Sequence, residues 1–205
     1  MLLAIDTSAG ASVAVVDRDA GVLAEFTEPD TRRHAEVIGT LIQDALRESG
    51  IAVTDLSGVA VGMGPGPFTG LRVGIAAARA FAFGAGKPVV PVVSHDAVAF
   101  GVAEPLLVVT DARRREVYWS SYSGTDPEGL PIRVSGPGLA SPQSLEEVVP
   151  DFRTFRRVDA AEVSAASLGL VAELLYLHHR PFASGEALYL RSPDVTLSAG
   201  PKRVS

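Results

Sequence analysis

The chain has 205 residues, 18 of them Lys or Arg and 24 Asp or Glu, for a formal net charge of −6. A protein that grips nucleic acid by itself is more often basic, because phosphate contacts draw on Lys and Arg to release counterions, so any role with RNA is expected to be indirect or shared. Cysteine is absent, which excludes disulfides and thiolate metal sites and fits a reducing cytosol.

A hydrophobic share of 47% supplies ample core material for a globular α/β protein. The run Met1–Asp6 has no basic segment before it and stops at the acid. It is too short for a signal peptide or a membrane span, so a cytoplasmic protein without a membrane contact is expected.

Three strand-like runs open the chain, Leu2–Ile5, Ser12–Val16 and Val22–Phe26, separated by turn residues as in an antiparallel meander. A helix is predicted over His34–Ser49, its stripe made of Val37, Ile38, Leu41, Ile42, Ala45 and Leu46, with Gly50 where a C-cap glycine belongs. A strand at Gly58–Val61, a helix over Thr69–Gly84, a strand at Pro88–Val93 and a short helix at Ser94–Phe100 follow. The pattern then begins again: strands at Leu106–Val109, Glu116–Tyr122 and Pro131–Val134, helices at Pro142–Val149 and Val163–His178, a final strand at Ala187–Leu190, and a tail from Ser192. A β-β-β-α-β-α unit and a degraded copy of it are expected, divided into 1–103 and 104–205.

The most informative stretch is Gly62-Met63-Gly64-Pro65-Gly66-Pro67-Phe68-Thr69-Gly70-Leu71-Arg72-Val73-Gly74. A phosphate cradle is the tempting reading, but the spacing is not G-x-G-x-x-G, no Lys-Ser/Thr follows, and each proline removes an N–H. A rigid turn that fixes where the next helix begins suits the residues better. That helix is apolar nearly all round apart from Arg72 and Arg79, so burial on more than one side is expected. Gly70, Gly74, Ala77 and Ala78 give it a small-residue face. With Leu71, Phe81 and, from the preceding helix, Val37 and Leu41, they form a candidate partner interface, against the alternative that the chain's own first helix covers them.

Asp6-Thr7-Ser8 ends the first strand, and Thr110-Asp111 ends the first strand of the apparent second half. Neither is followed by a glycine-rich turn able to wrap triphosphate oxygens. Arg113, Arg114 and Arg115 occupy the second hairpin turn; they read as solvated turn residues or as contacts for RNA or an acidic partner. His34 faces Ile38 and His95 faces Ala99 at the i+4 position, while His178 and His179 sit near a helix end where capping is expected. No histidine pair has the spacing of a helical metal site, and no Gly-x-Ser-x-Gly elbow is present.

The segments Leu3–Ser8, Gly64–Gly74 and Asp111–Tyr118, in this order, resemble the bacterial TsaB (YeaZ) family over about the first 125 residues. The remaining part matches loosely, and Val149–Val158 lacks the family's Gly-rich turn. The resemblance implies an actin-like ATPase (ASKHA, ribonuclease H-like) fold of two related halves. It also implies pairing with a TsaD-like catalytic subunit in threonylcarbamoyl transfer to the adenosine beside the anticodon of tRNA. TsaD-like proteins hold a metal through a His-x-x-x-His pair, and the matching positions here are His95 and Ala99.

The expectation is therefore a non-catalytic subunit without a catalytic or metal-binding residue or a tightly bound cofactor. ATP and metal are expected on the partner, a TsaE-like ATPase as a further partner, tRNA reached through the complex, and Asp6, Thr7 and Ser8 as a vestigial nucleotide pocket. Homodimerisation through the same helices is a further possibility. The competing readings are a stand-alone ASKHA-type ATPase or kinase and an M22-like metallopeptidase.

Overall fold

The computed structural model describes residues 1–30 and 33–191. The expected meander forms as β1 (Leu2–Asp6), β2 (Ala11–Asp17) and β3 (Gly21–Glu28), followed by α1 (His34–Ser49). Then come β4 (Gly58–Gly62), α2 (Phe68–Ala85), β5 (Val89–Val92) and α3 (Ser94–Ala99). The second half repeats the order with β6 (Leu106–Asp111), β7 (Val117–Thr125), β8 (Pro131–Ala140), a one-turn α4 (Leu145–Val148), β9 (Arg156–Asp159) and α5 (Ala165–Leu177).

Two sheets result, ordered β3-β2-β1-β4-β5 and β8-β7-β6-β9. In each, the opening strand lies between an antiparallel neighbour (β2 or β7) and a parallel one (β4 or β9), so the duplication is visible in the topology.

Alternation along β1 sorts the first core into two layers. Leu3 and Ile5 face α1 and α2, where Ile38, Ile42, Leu71, Ile75 and Ala78 complete the packing. Leu2 and Ala4 face the opposite way, onto α5 and α3. Both long helices of the first half end on a left-handed glycine, the first of them at the Gly50 expected from the sequence. Gly50 takes φ 66° after α1. Gly86, at φ 64°, lets its own N–H and that of Lys87 reach the Phe83 and Ala82 carbonyls.

Three expectations are corrected. The division at residue 103 does not separate two cores, because α5 leaves the second half and covers the first sheet, with Leu168, Val171 and Ala172 in its core. Glu25 on β3 fixes that return. Its carboxylate accepts from the Ser164 hydroxyl at 2.8 Å and the Ala166 N–H at 3.1 Å, at the positive end of α5.

Second, Ala187–Leu190 is not a strand. The segment lies irregularly against α2, with Leu188 N–H donating to the Met63 carbonyl at 2.8 Å, Tyr189 N–H turning back to the Ala187 carbonyl at 2.9 Å, and the Tyr189 ring against Phe68. Third, a strand absent from the sequence reading, β9, forms after Asp151 takes the left-handed conformation (φ 54°) that opens a 3-10 turn over Phe152–Thr154. The tail from Ser192 lies outside the described residues.

Candidate functional site

The two most informative motifs of the sequence form one packed unit. Asp6, Thr7 and Ser8 follow the central strand, and the Gly/Pro loop with the first turns of α2 lies directly on them. Each of three glycines faces one residue of the trio. A Cβ on Gly62 would collide with the Asp6 carboxylate and one on Gly74 with the Thr7 side chain, while one on Gly66 would stand 2.8 Å from Ser8 Cα. Real Cβ atoms do not tolerate such approaches, so the glycines are there for proximity.

Hydrogen bonds complete the unit. The Thr7 hydroxyl donates to the Gly70 carbonyl at 2.8 Å and accepts from the Gly74 N–H at 3.1 Å. Asp6 Oδ1 accepts from the Ser8 N–H at 2.8 Å and the Ser8 hydroxyl at 2.5 Å, and Oδ2 accepts from the Ser94 hydroxyl at 2.6 Å. Ser94 Oγ also accepts from the Gly64 N–H at 3.0 Å. Burial raises the Asp6 pKa above the ordinary carboxylate value, against the pull of its bonds to Ser8 and Ser94. Both oxygens are thus already engaged inside the protein.

This arrangement corrects part of the nucleotide-pocket expectation. Asp6 and Thr7 are interior, each 1% exposed. Only Ser8 among the three lines the cleft between the halves, a space of about 490 Å³ that it shares with Ala9, Pro67, Asp111, Arg113 and the Ala160-Ala161 pair. Asp111, the counterpart acid, is exposed at that cleft, and its carboxylate accepts from the Arg113 N–H at 2.8 Å. Arg113, Arg114 and Arg115 are exposed as expected. All three hold left-handed backbone (φ 61°, 52° and 64°), at a cost of about 1–2 kcal/mol each.

His95 sits between the halves rather than at the cleft. Its Nδ1 lies 2.8 Å from Ser120 Oγ and its Nε2 lies 2.9 Å from Thr110 Oγ1, so both ring nitrogens are used by hydroxyls of the second sheet. A neutral ring can donate at one and accept at the other. Burial, with a smaller push from Arg133, lowers the His95 pKa to about 3. Next to it, Asp96 accepts from the Tyr122 hydroxyl at 2.8 Å. Among the described residues no group of three metal-ligating side chains is found, and His178 and His179 stand at the C-terminal end of α5, where their backbone N–H groups reach the Leu174 and Tyr176 carbonyls.

The candidate partner surface divides in two. Gly70, Leu71, Gly74 and Ala78 are buried in the chain's own core, so they are corrected from surface to interior: the small-residue face receives Thr7 and the sheet instead of a foreign helix. Val37, Leu41, Ala77 and Phe81 remain half-buried along the outer side of α1 and α2. Beside them Ala76, Ala80 and Phe83 are exposed, Phe83 by 91%.

The exposure of Phe83 is not foreseen in the sequence, because an all-round apolar helix offers no contrast between faces. The glycine positions held the missing signal, since they mark the inner side.

The comparisons with known proteins agree with this architecture. The family model described as "TsaD: tRNA N6-adenosine threonylcarbamoyltransferase" matches residues 17–128. The crystal structure of YeaZ from Pseudomonas aeruginosa superposes with a TM-score of 0.74 at 25% identity, covering 93% of this chain and 99% of that one. The tRNA threonylcarbamoyladenosine biosynthesis protein TsaB of Escherichia coli is 40% identical over 134 residues, 63% of this chain and 57% of that protein. This chain belongs to the TsaB (YeaZ) family.

An uncharacterised Mycobacterium tuberculosis protein is 39% identical over 197 residues, 94% of this chain and 92% of that one, so the likeness reaches past the motif region. The actin-like fold expected from the sequence is that of the YeaZ structures. No helix among the described residues is long and apolar enough to cross a membrane.

Proposed function

We propose that this chain acts in threonylcarbamoyladenosine synthesis on tRNA, as the non-catalytic subunit that binds and supports a TsaD-like catalytic protein through the outer face of α1 and α2. The observation that carries the proposal is the asymmetry of α2: its inner side is closed onto Asp6-Thr7-Ser8, while its outer side leaves Ala76, Ala80 and Phe83 in solvent. An apolar helix face that the chain itself does not cover is the mark of a docking surface. The occupied carboxylate of Asp6 and the occupied ring of His95 support a role without chemistry of its own. In this reading ATP and metal sit on the TsaD-like subunit, a TsaE-like ATPase joins the assembly, and tRNA is reached through the complex.

The test is reconstitution of tRNA modification from the TsaD-like and TsaE-like proteins with and without this chain. Modified adenosine is expected only when it is present. Calorimetry of the chain alone with ATP and Mg²⁺ is expected to show no saturable binding in the micromolar range. Turnover of ATP, or of a peptide, by the isolated chain would instead support the stand-alone enzyme readings.

A further inference from the structure

The outer side of α2 has a second, charged flank. The irregular segment 183–191 lies against the helix there and leaves a groove of about 490 Å³ lined by Arg72, Ile75, Ala76 and Arg79 on α2 and by Glu186, Ala187 and Tyr189 on that segment. Arg72 and Arg79 are exposed and stand about 10 Å apart along the helix axis, two turns at 1.5 Å per residue. Each is held by a neutral group. Arg79 donates to the Gly185 carbonyl at 2.7 Å. Arg72 donates to the Tyr189 hydroxyl at 3.4 Å and lies 3.9 Å above the Phe68 ring, which itself packs on Tyr189 with centroids 4.8 Å apart.

In a chain of net charge −6 this is unusual company for arginine. Arg33, Arg47, Arg153, Arg156, Arg157 and Arg180 each lie within 3.3 Å of a carboxylate. Neither Arg72 nor Arg79 has an ion pair among the described residues, and Glu186 lines the same groove without pairing with either. The guanidiniums are therefore aligned by a carbonyl, a hydroxyl and an aromatic face, with their charge left for an outside group.

We infer that this groove receives acidic side chains of a protein partner, and that Arg72 and Arg79 form the charged rim of the apolar docking face. The inference rests on the docking reading above. The observations favouring a protein carboxylate are charge complementarity and the continuity of the groove with the apolar flank of the same helix. The rim is expected to act chiefly through the encounter rate and its dependence on salt, and Glu186 disfavours an uninterrupted run of acids on the partner.

The experiment measures association of the full chain with the TsaD-like protein by surface plasmon resonance at 50 mM and 500 mM salt. It compares wild type, the double variant Arg72→Gln/Arg79→Gln and the double variant Arg72→Lys/Arg79→Lys. Far-ultraviolet circular dichroism confirms that each is folded. The glutamine pair is expected to weaken binding about tenfold at low salt, mainly in the association rate, and to flatten the salt dependence, while the lysine pair retains most of it. Equal affinity of wild type and the glutamine variant at both salts would overturn the inference and leave the docking reading standing. Failure of the wild-type chain to bind would remove both. Unchanged protein association with weakened retention of tRNA by the complex would show that the rim serves phosphates, against the inference.

Discussion

Both sides of α2 carry small and apolar residues, the outer one with Arg72 and Arg79 added, and they do opposite things. Inside, Gly70, Leu71, Gly74 and Ala78 are fully packed, and the Thr7 hydroxyl joins the helix backbone at two points. Outside, Ala80 and Phe83 are as apolar and touch little of this chain. Hydrophobic composition alone does not decide which side of a helix is core. Close approach does, because a helix can lie directly on a strand end only where its residues lack side chains.

The largest expected effect comes from breaking the inner side. Gly74→Trp would drive an indole into Thr7, with no far end of a flexible side chain to give way. The variant is expected to lose cooperative thermal unfolding; a folded Gly74→Trp protein would show that α2 does not seat where described. Thr7→Val keeps the shape and removes both bonds to α2, leaving a buried N–H and a buried carbonyl without this partner. A loss of about 1–3 kcal/mol in urea unfolding is expected.

Acid titration sharpens the same contrast. The Asp6 pKa is raised in the folded state, so between the ordinary carboxylate value of 3.8 and its folded value the native protein holds the proton more tightly than the unfolded chain. Its contribution therefore falls as pH rises through that window. His95, lowered from 6.5 to about 3, contributes with the opposite sign: its part is fully present above pH 6.5 and is lost as pH falls toward 3. Urea unfolding of wild type, Asp6→Asn and His95→Gln across pH 4–7 separates them. Relative to wild type, Asp6→Asn is expected to gain stability with rising pH and His95→Gln to lose its acid sensitivity; parallel curves for all three would contradict both burials. The smallest stability effect is expected on the outer side, where Phe83→Ser changes unfolding by no more than about 0.5 kcal/mol.

Much of this was legible in the sequence. Apolar runs and turn residues marked every strand but β9, whose Arg156-Arg157-Val158-Asp159 has no apolar run to show it, and α1 runs from His34 to Ser49 as its stripe and Gly50 indicate. The fold family was carried by one motif, whose glycines and prolines show their purpose only when Asp6-Thr7-Ser8 is laid beneath them. That pairing joins residues more than fifty apart, which local periodicity does not record.

The return of α5 to the first sheet was hidden for the same reason, since the Glu25 carboxylate and Ser164 are 139 positions apart. Ala187–Leu190 has strand-like residues, but its backbone makes single bonds, Leu188 N–H to the Met63 carbonyl and Tyr189 N–H to the Ala187 carbonyl, and no ladder. The orientation of α2 was the costliest omission: four of the eight expected interface residues turned out to be interior.

The most direct test of the account is sedimentation velocity of the TsaD-like protein mixed with wild type, with Ala80→Arg/Phe83→Ser, and with Thr7→Val as an inner-side control that stays folded. A complex is expected with wild type and with Thr7→Val, and its loss with the outer-face variant while the circular dichroism spectrum is unchanged. A complex that survives Ala80→Arg/Phe83→Ser would contradict the outer face of α2 as the docking surface.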